Sequence, residues 1–182
     1  MEGDERLRLF CALLLPSETV DRLVAWQAHE LSPAADALRI VPRGNLHVTL
    51  AFLGSRPGGE LKAIATELRA AAGDAAPATL TIARFRETRS VGMLVCDDEG
   101  GRATAFATDL HARLERLGVY EPERRPWLPH VTVARFRSRP RLQPALPDLG
   151  SFVTSEAAVY MSVLRPSGAQ YEVLQSVALG GS

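Results

Sequence analysis

Apolar side chains recur along the chain in two rhythms, one of strands and one of helices. Residues 7–15 form a strand-like apolar run closed by Pro16. From Ser17, a residue suited to an N-cap, Val20, Leu23, Val24, Gln27 and Leu31 fall at helical spacing. A Pro/Ala-rich loop leads to a short strand at 39–41, a turn at 42–45 and a strand at 46–53. After a loop at 54–59, Leu61, Ile64, Ala65 and Leu68 mark a second helix, ended by Gly73.

The second half repeats this order. Strands are predicted at 78–86 and 91–96, followed by a turn at 97–101. Ala103, Phe106, Leu110, Leu114 and Leu117 make a helical stripe stopped by Gly118. A proline-punctuated loop at 121–129 precedes a strand at 130–136, and two further strands at 156–164 and 170–179 flank a turn at 166–168. Each half reads strand, helix, strand, and the closing strand of each opens with His-Val-Thr. Phe10 precedes His47 by 37 residues and Met93 precedes His130 by 37, so spacing is kept as well as order. The closing strand pair is hairpin-like, which favours an α+β fold over a parallel α/β sheet. The expectation is one domain over residues 1–182. It would be a bilobal internal duplication with two mostly antiparallel sheets, helices outside and a central cleft.

Composition narrows the class. With 46% hydrophobic and 23% charged residues the balance is that of a globular domain. The longest strictly apolar run, residues 9–15, falls far short of the roughly 20 residues of a bilayer span. Its flanks, mixed in charge and lacking a small-x-small site, read as a first strand rather than an export signal. Cys11 and Cys96 lie far apart inside apolar stretches, as buried free thiols do in a reducing compartment, so a cytoplasmic location is expected.

Strand alternation sets Val48, Leu50 and Phe52 toward a core, and His47, Thr49 and Ala51 toward the other face. Likewise His130, Thr132 and Ala134 oppose Val131, Val133 and Phe136 if a local irregularity falls after Ala134, while simple alternation puts Arg135 on the face away from His130. One His-Val-Thr alone is most simply a structural histidine in a strand. Two of only four histidines sharing it, at matching points of a repeat, point to chemistry. If the halves face each other, two imidazoles and two hydroxyls converge, the equipment for metal-free phosphodiester cleavage. One neutral histidine accepts a proton from the attacking water and a protonated one donates to the leaving oxygen. Threonine hydroxyls then hold the non-bridging oxygens.

Other chemistries fit poorly. No Asp, Glu or Cys sits at short ligand spacing beside either histidine. Gly54-Ser55 lacks a nucleophile-elbow frame, and no phosphate loop of the ATP or dinucleotide kind occurs. No metal and no cofactor are expected. His29 and His111, on helices with polar neighbours, read as solvated surface.

The segments RLFCALLLP, VPRGNLHVTLAFLG, RPWLPHVTVARF and SVLRPSGAQYEVL resemble the 2H phosphoesterase superfamily, most closely its bacterial and archaeal RNA 2′,3′-cyclic phosphodiesterases, also called 2′-5′ RNA ligases. The paired H-x-T-x motifs, at residues 47–50 and 130–133, are that family's signature. The resemblance implies hydrolysis of a 2′,3′-cyclic phosphate to the 2′-phosphomonoester, at an RNA end or on a nucleotide, without metal or cofactor, and possible reverse 2′-5′ ligation. It further implies His47 as proton donor, His130 as proton acceptor and Arg135 as a phosphate contact, the last requiring a strand irregularity. Phe10 and Tyr171 are candidates for an aromatic platform under a base. The alternative is a non-catalytic RNA-end or phosphate-binding protein on the same scaffold. An internally duplicated cleft needs no second chain, so a monomer is expected.

The formal net charge is zero, yet charge is unevenly placed. Arg124, Arg125, Arg135, Arg137, Arg139 and Arg141 surround the second motif against Glu121 and Glu123. Arg84, Arg86 and Arg89 form another cluster beside Glu87. That is enough positive charge to hold an RNA end and too little to predict tight, length-dependent binding.

Overall fold

Why the first strand is apolar throughout is visible in its two faces. In β1 (Arg6–Leu13), Leu9, Cys11 and Leu13 turn to one side and are fully buried in the main core beneath the helices. Phe10 and Ala12 turn to the other side and pack with Ala158 and Tyr160 in a second, smaller cluster. Both faces are covered, so no alternation survives in the sequence. The computed structural model describes residues 5–181; residues 1–4 and 182, the ends of the expected 1–182 domain, lie outside the described residues.

Three α-helices cover the core face: α1 (Ser17–Trp26), α2 (Leu61–Asp74) and α3 (Arg102–Arg116). Pro16 rather than Ser17 occupies the N-cap position of α1, without a side-chain cap. At the start of α3 the cap is explicit: the Asp98 carboxylate accepts from the N–H groups of Ala103 and Thr104. Gly100 and Gly101, at φ of +67° and +68°, supply the left-handed turn that brings it there. Helix α1 runs on into a π-turn, Gln27–Leu31, whose first side chain matters below.

The remaining strands are β2 (Arg39–Ile40), β3 (Val48–Pro57), β4 (Ala78–Glu87), β5 (Val91–Asp98), β6 (His130–Arg135), β7 (Ser151–Thr154), β8 (Glu156–Arg165) and β9 (Gly168–Ala178). They order as β7-β4-β5-β6-β3-β1-β8-β9, with β2 added on β6. Each recorded pairing is antiparallel. The C-terminal hairpin β8–β9 therefore completes the N-terminal half of the sheet, by pairing with β1.

The expected pair of separate sheets is corrected in one respect. β3 and β6 share a single register pair, Val48 with Val131, and this seam joins the halves into one nine-stranded sheet. Each partner in that pair directly follows a motif histidine. The seam thus sets the two His-Val-Thr segments side by side at the centre of the open face.

Candidate active site

Two strand irregularities build the site, at equivalent places in the two halves. On β3, Thr49 pairs with Ala12 and Ala51 with Cys11, leaving Leu50 as an extra residue. On β6, Thr132 pairs with Met93 and Ala134 with Gly92, leaving Val133 extra. Each bulge falls three residues after the histidine and reverses the alternation beyond it. The residue five places after each histidine is thereby turned to the cleft. In the first half this is Phe52, which lines the cleft with 48% of its surface exposed, contrary to its expected place in the core. In the second half it is Arg135, now on the same side as Thr132. The irregularity that the Arg135 assignment required is the bulge at Val133.

The bulged carbonyls are held by side chains of the helices. His111 on α3 donates from Nε2 to Leu50 O at 2.6 Å, and its ring stacks on Tyr120. Gln27, at the start of the π-turn, is 2% exposed and donates from Nε2 to both Val133 O and Val41 O, each at 3.0 Å. The Val133 carbonyl also accepts the Val41 N–H. The reading of His111 as solvated surface is therefore corrected, whereas exposed His29 meets only its neighbour Glu30. Gln27→Ala is expected to cost about 1–3 kcal/mol in urea unfolding, because it empties a buried amide site and leaves Val41 O without its donor.

Each motif imidazole is oriented in the same way. Nδ1–H of His47 donates to Asn45 O, and Nδ1–H of His130 to Leu128 O, both at 2.8 Å and both to the carbonyl two residues upstream. In the neutral ring this fixes the tautomer and leaves Nε2 as the nitrogen without a proton. Thr49 donates its hydroxyl to His47 Nε2 at 2.9 Å. Burial pushes the His47 pKa down to about 4, helped by the nearby positive charges of His130 and Arg135 and opposed by the Asn45 bond. His47 is thus neutral in the free cleft at pH 7.

Two adjoining cavities open on this face. The first, about 460 Å³, is bordered by His47, Thr49, Thr132 and Arg135, with Phe10 as floor and Tyr171 as wall. Phe10 is 3% exposed; it stacks on Tyr160 at 5.0 Å, meets Tyr171 edge-on at 4.9 Å and supports the His47 ring at 5.0 Å. The second, about 500 Å³, contains His130. Thr49 and Phe52 border both. Asn45, which orients His47 through its carbonyl, also ties the β8–β9 turn over the first cavity by donating to Ala169 O at 2.8 Å.

The cleft is basic although the chain is neutral. Arg8, Arg39 and Arg135 line the first cavity and no carboxylate does. Arg39 lies directly opposite Arg135 across β2 and β6, and among the described residues neither has an ion-pair partner. Unpaired like charges at this spacing are a site for an anion. Arg139, by contrast, is engaged: nearly buried Glu87 pairs with it at 3.0 Å and accepts the N–H groups of Arg141 and Leu142, pinning the segment after β6. Cys11 and Cys96 are buried and free, with thiol pKa values pushed up to about 12 by desolvation, so neither serves as a nucleophile. Among the described residues no helix is long and apolar enough to cross a membrane, and no three His, Cys, Asp or Glu side chains group as metal ligands would.

A duplicated antiparallel sheet carrying two mirrored His-x-Thr strands in a basic cleft defines a class. The family model described as the 2′-5′ RNA ligase superfamily matches residues 15–168, and the chain belongs to that family. Over 96% of its length it is 30% identical to the RNA 2′,3′-cyclic phosphodiesterase of Escherichia coli, covering 98% of that protein. It is 33% identical to the protein of the same name from Thermus thermophilus, again over 96% of this chain and covering 91% of the relative. In structure it is similar to E. coli LigT complexed with 3′-AMP, with a TM-score of 0.83 and 27% identity over 97% of this chain and all of the other.

Proposed function

We propose that the chain hydrolyses 2′,3′-cyclic phosphodiesters, at RNA ends or on nucleotides, to the 2′-phosphomonoester by paired-histidine acid–base catalysis. The observation that carries this reading is the mirrored pair of Nδ1-anchored imidazoles, set side by side by the Val48–Val131 seam in an arginine-lined cleft. The names of the E. coli and Thermus relatives support the substrate class.

In the step proposed, a water oxygen bonds to phosphorus as the P–O3′ bond breaks. His130 accepts the proton of the water, and His47 donates its own to the departing 3′-oxygen, the order that the family resemblance implies. Arg135, Thr132 and Thr49 hold the non-bridging oxygens, where negative charge gathers. His47 must be charged to donate, although desolvation favours its neutral form. The substrate's phosphate supplies the missing charge, replacing lost solvation with an anion beside the ring. With the 5′-hydroxyl of a second RNA in place of water, the same transfers form a 2′-5′ linkage. No step needs a metal or a second chain.

The test is incubation of the protein with a 2′,3′-cyclic nucleotide, and with an oligonucleotide ending in a cyclic phosphate, in the presence of EDTA. Turnover to the 2′-phosphomonoester, identified by phosphorus NMR, is expected. Binding without turnover would establish the phosphate-binding alternative, and activity lost to EDTA would return a metal to the mechanism.

A further inference from the structure

Arg39 and Arg135 stand directly opposite each other on β2 and β6, and both line the first cavity. Like charges at facing strand positions repel. No carboxylate is paired with either among the described residues. Such a pair receives an anion well only if the backbone holds both guanidinium groups in place beforehand. The strand that carries Arg39 is poorly equipped to do so. It has two residues, and among the described strands it pairs with β6 alone.

What holds β2 lies two residues further along each strand. Val41 follows Arg39 by two, Val133 precedes Arg135 by two, and the Val41 N–H donates to Val133 O at 3.0 Å. The Gln27 amide then bridges the strands, donating from Nε2 to Val41 O and to Val133 O, each at 3.0 Å. Both protons of one amide group are thus spent on the carbonyls of two different strands. Gln27 itself belongs to neither strand and is carried by the π-turn that ends α1. Leu23, Trp26 and Leu31 around it on that helix are buried and apolar, so filling the core needs no amide at position 27. Gln27 lines neither cavity and does not touch the substrate. Arg39 is limited from its other end as well, because its Nη1 lies 2.9 Å from where a Cβ on Gly168 would stand, in the β8–β9 turn. That contact limits the side chain, and the Gln27 bridge limits the backbone beneath it.

We infer that Gln27 is a positioning residue of the phosphate site: its amide clips β2 to β6 and holds Arg39 and Arg135 against their mutual repulsion, at the spacing that receives the phosphate. The inference rests on the phosphate-binding role given to Arg135 above. Without the clip, β2 moves off β6 and the guanidinium groups separate. An incoming anion must then draw them together, at a cost to its own affinity.

Sulfate at pH 7.5 is the probe, because His47 is neutral there and the arginines rather than that ring supply the charge. Calorimetry measures sulfate affinity, and kcat/KM is measured on 2′,3′-cyclic AMP. The proteins are wild type, Q27M, R39A and Q27M/R39A, at a temperature where circular dichroism shows each to be folded. Methionine keeps the length of the side chain and removes both donors. Q27M is expected to weaken sulfate binding and to lower kcat/KM, each by about tenfold or more. A role in stability alone would lower the thermal midpoint and leave the folded variant with wild-type sulfate affinity, and that result would overturn the inference. Removing Arg39 takes away both the repulsion and one of the groups being positioned. In the R39A background Q27M should therefore cost only about threefold or less. An equal loss in both backgrounds would show that the amide does not act through the arginine pair, and the inference would fall. Should Q27M not fold, Q27N takes its place, with an amide one methylene too short to span both carbonyls. Wild-type sulfate affinity in Q27N would sink the inference as well. A wild-type protein that turns over no cyclic nucleotide, while the sulfate affinities follow this pattern, would support the clip and overturn the catalytic reading alone.

Discussion

Replacing either His47 or His130 by alanine is expected to lower kcat on a 2′,3′-cyclic nucleotide by about 10²–10⁴-fold, the scale of one positioned proton-transfer group. The two variants should be similarly impaired, because each half supplies one group through the same anchor, an Nδ1–H bond to the carbonyl two residues upstream. The double variant should lose much less than the product of the single losses, since the groups act as a unit. Folding is controlled by the thermal midpoint. The carbonyls released, Asn45 O and Leu128 O, belong to residues that are only partly buried. A His47→Phe variant keeps a ring against Phe10 and Tyr171 while removing the proton carrier, and so separates the two losses. Near-full activity in either alanine variant would remove the two-histidine mechanism.

The residues that carry this prediction were legible in sequence because they repeat: His-Val-Thr occurs twice, at matching points of two strand–helix–strand units. Three helices and most strands were legible too, from runs long enough for a period to show. The four residues of β7, after a proline-rich stretch, were too short for that. What alternation misplaced traces to the bulges at Leu50 and Val133. Nothing in a strand of branched and small apolar residues announces that one of them has no partner across the ladder. A single extra residue reverses the face of everything beyond it. Hence simple alternation puts Phe52 in the core and Arg135 on the far face, although both line the cleft. Gln27 and His111 were hidden for a related reason: their hydrogen-bond partners exist only once those bulges form, 106 and 61 residues away in sequence. The join between the half-sheets rests on one register pair, too little pattern to read in advance.

The titration of His47 links the site to stability and to ligand binding, and both effects have a definite sign. Its pKa in the folded protein is about 4, below the 6.5 of an unperturbed histidine. Between those values the unfolded chain binds the extra proton and the folded chain does not. The contribution of neutral, buried His47 to stability is therefore complete above pH 6.5 and lost as pH falls toward 4. An anion between His47 and Arg135 reverses the balance, because the charged ring then has a partner. Sulfate is the suitable probe, since its own charge is constant across this range. In saturating sulfate the His47 resonance, assigned by its absence in H47N and followed by proton NMR, is expected to titrate about two pH units higher than in the free protein, or more. By linkage, sulfate should then bind up to about 100-fold more tightly at pH 4 than at pH 7.5 in wild type, and H47N should lose most of that dependence. Sulfate should also restore the acid-sensitive part of the thermal midpoint at about pH 5. A His47 that titrates near 6.5 without sulfate would remove the desolvated ground state. One whose pKa does not move with sulfate would leave the proposed donor without a source for its proton.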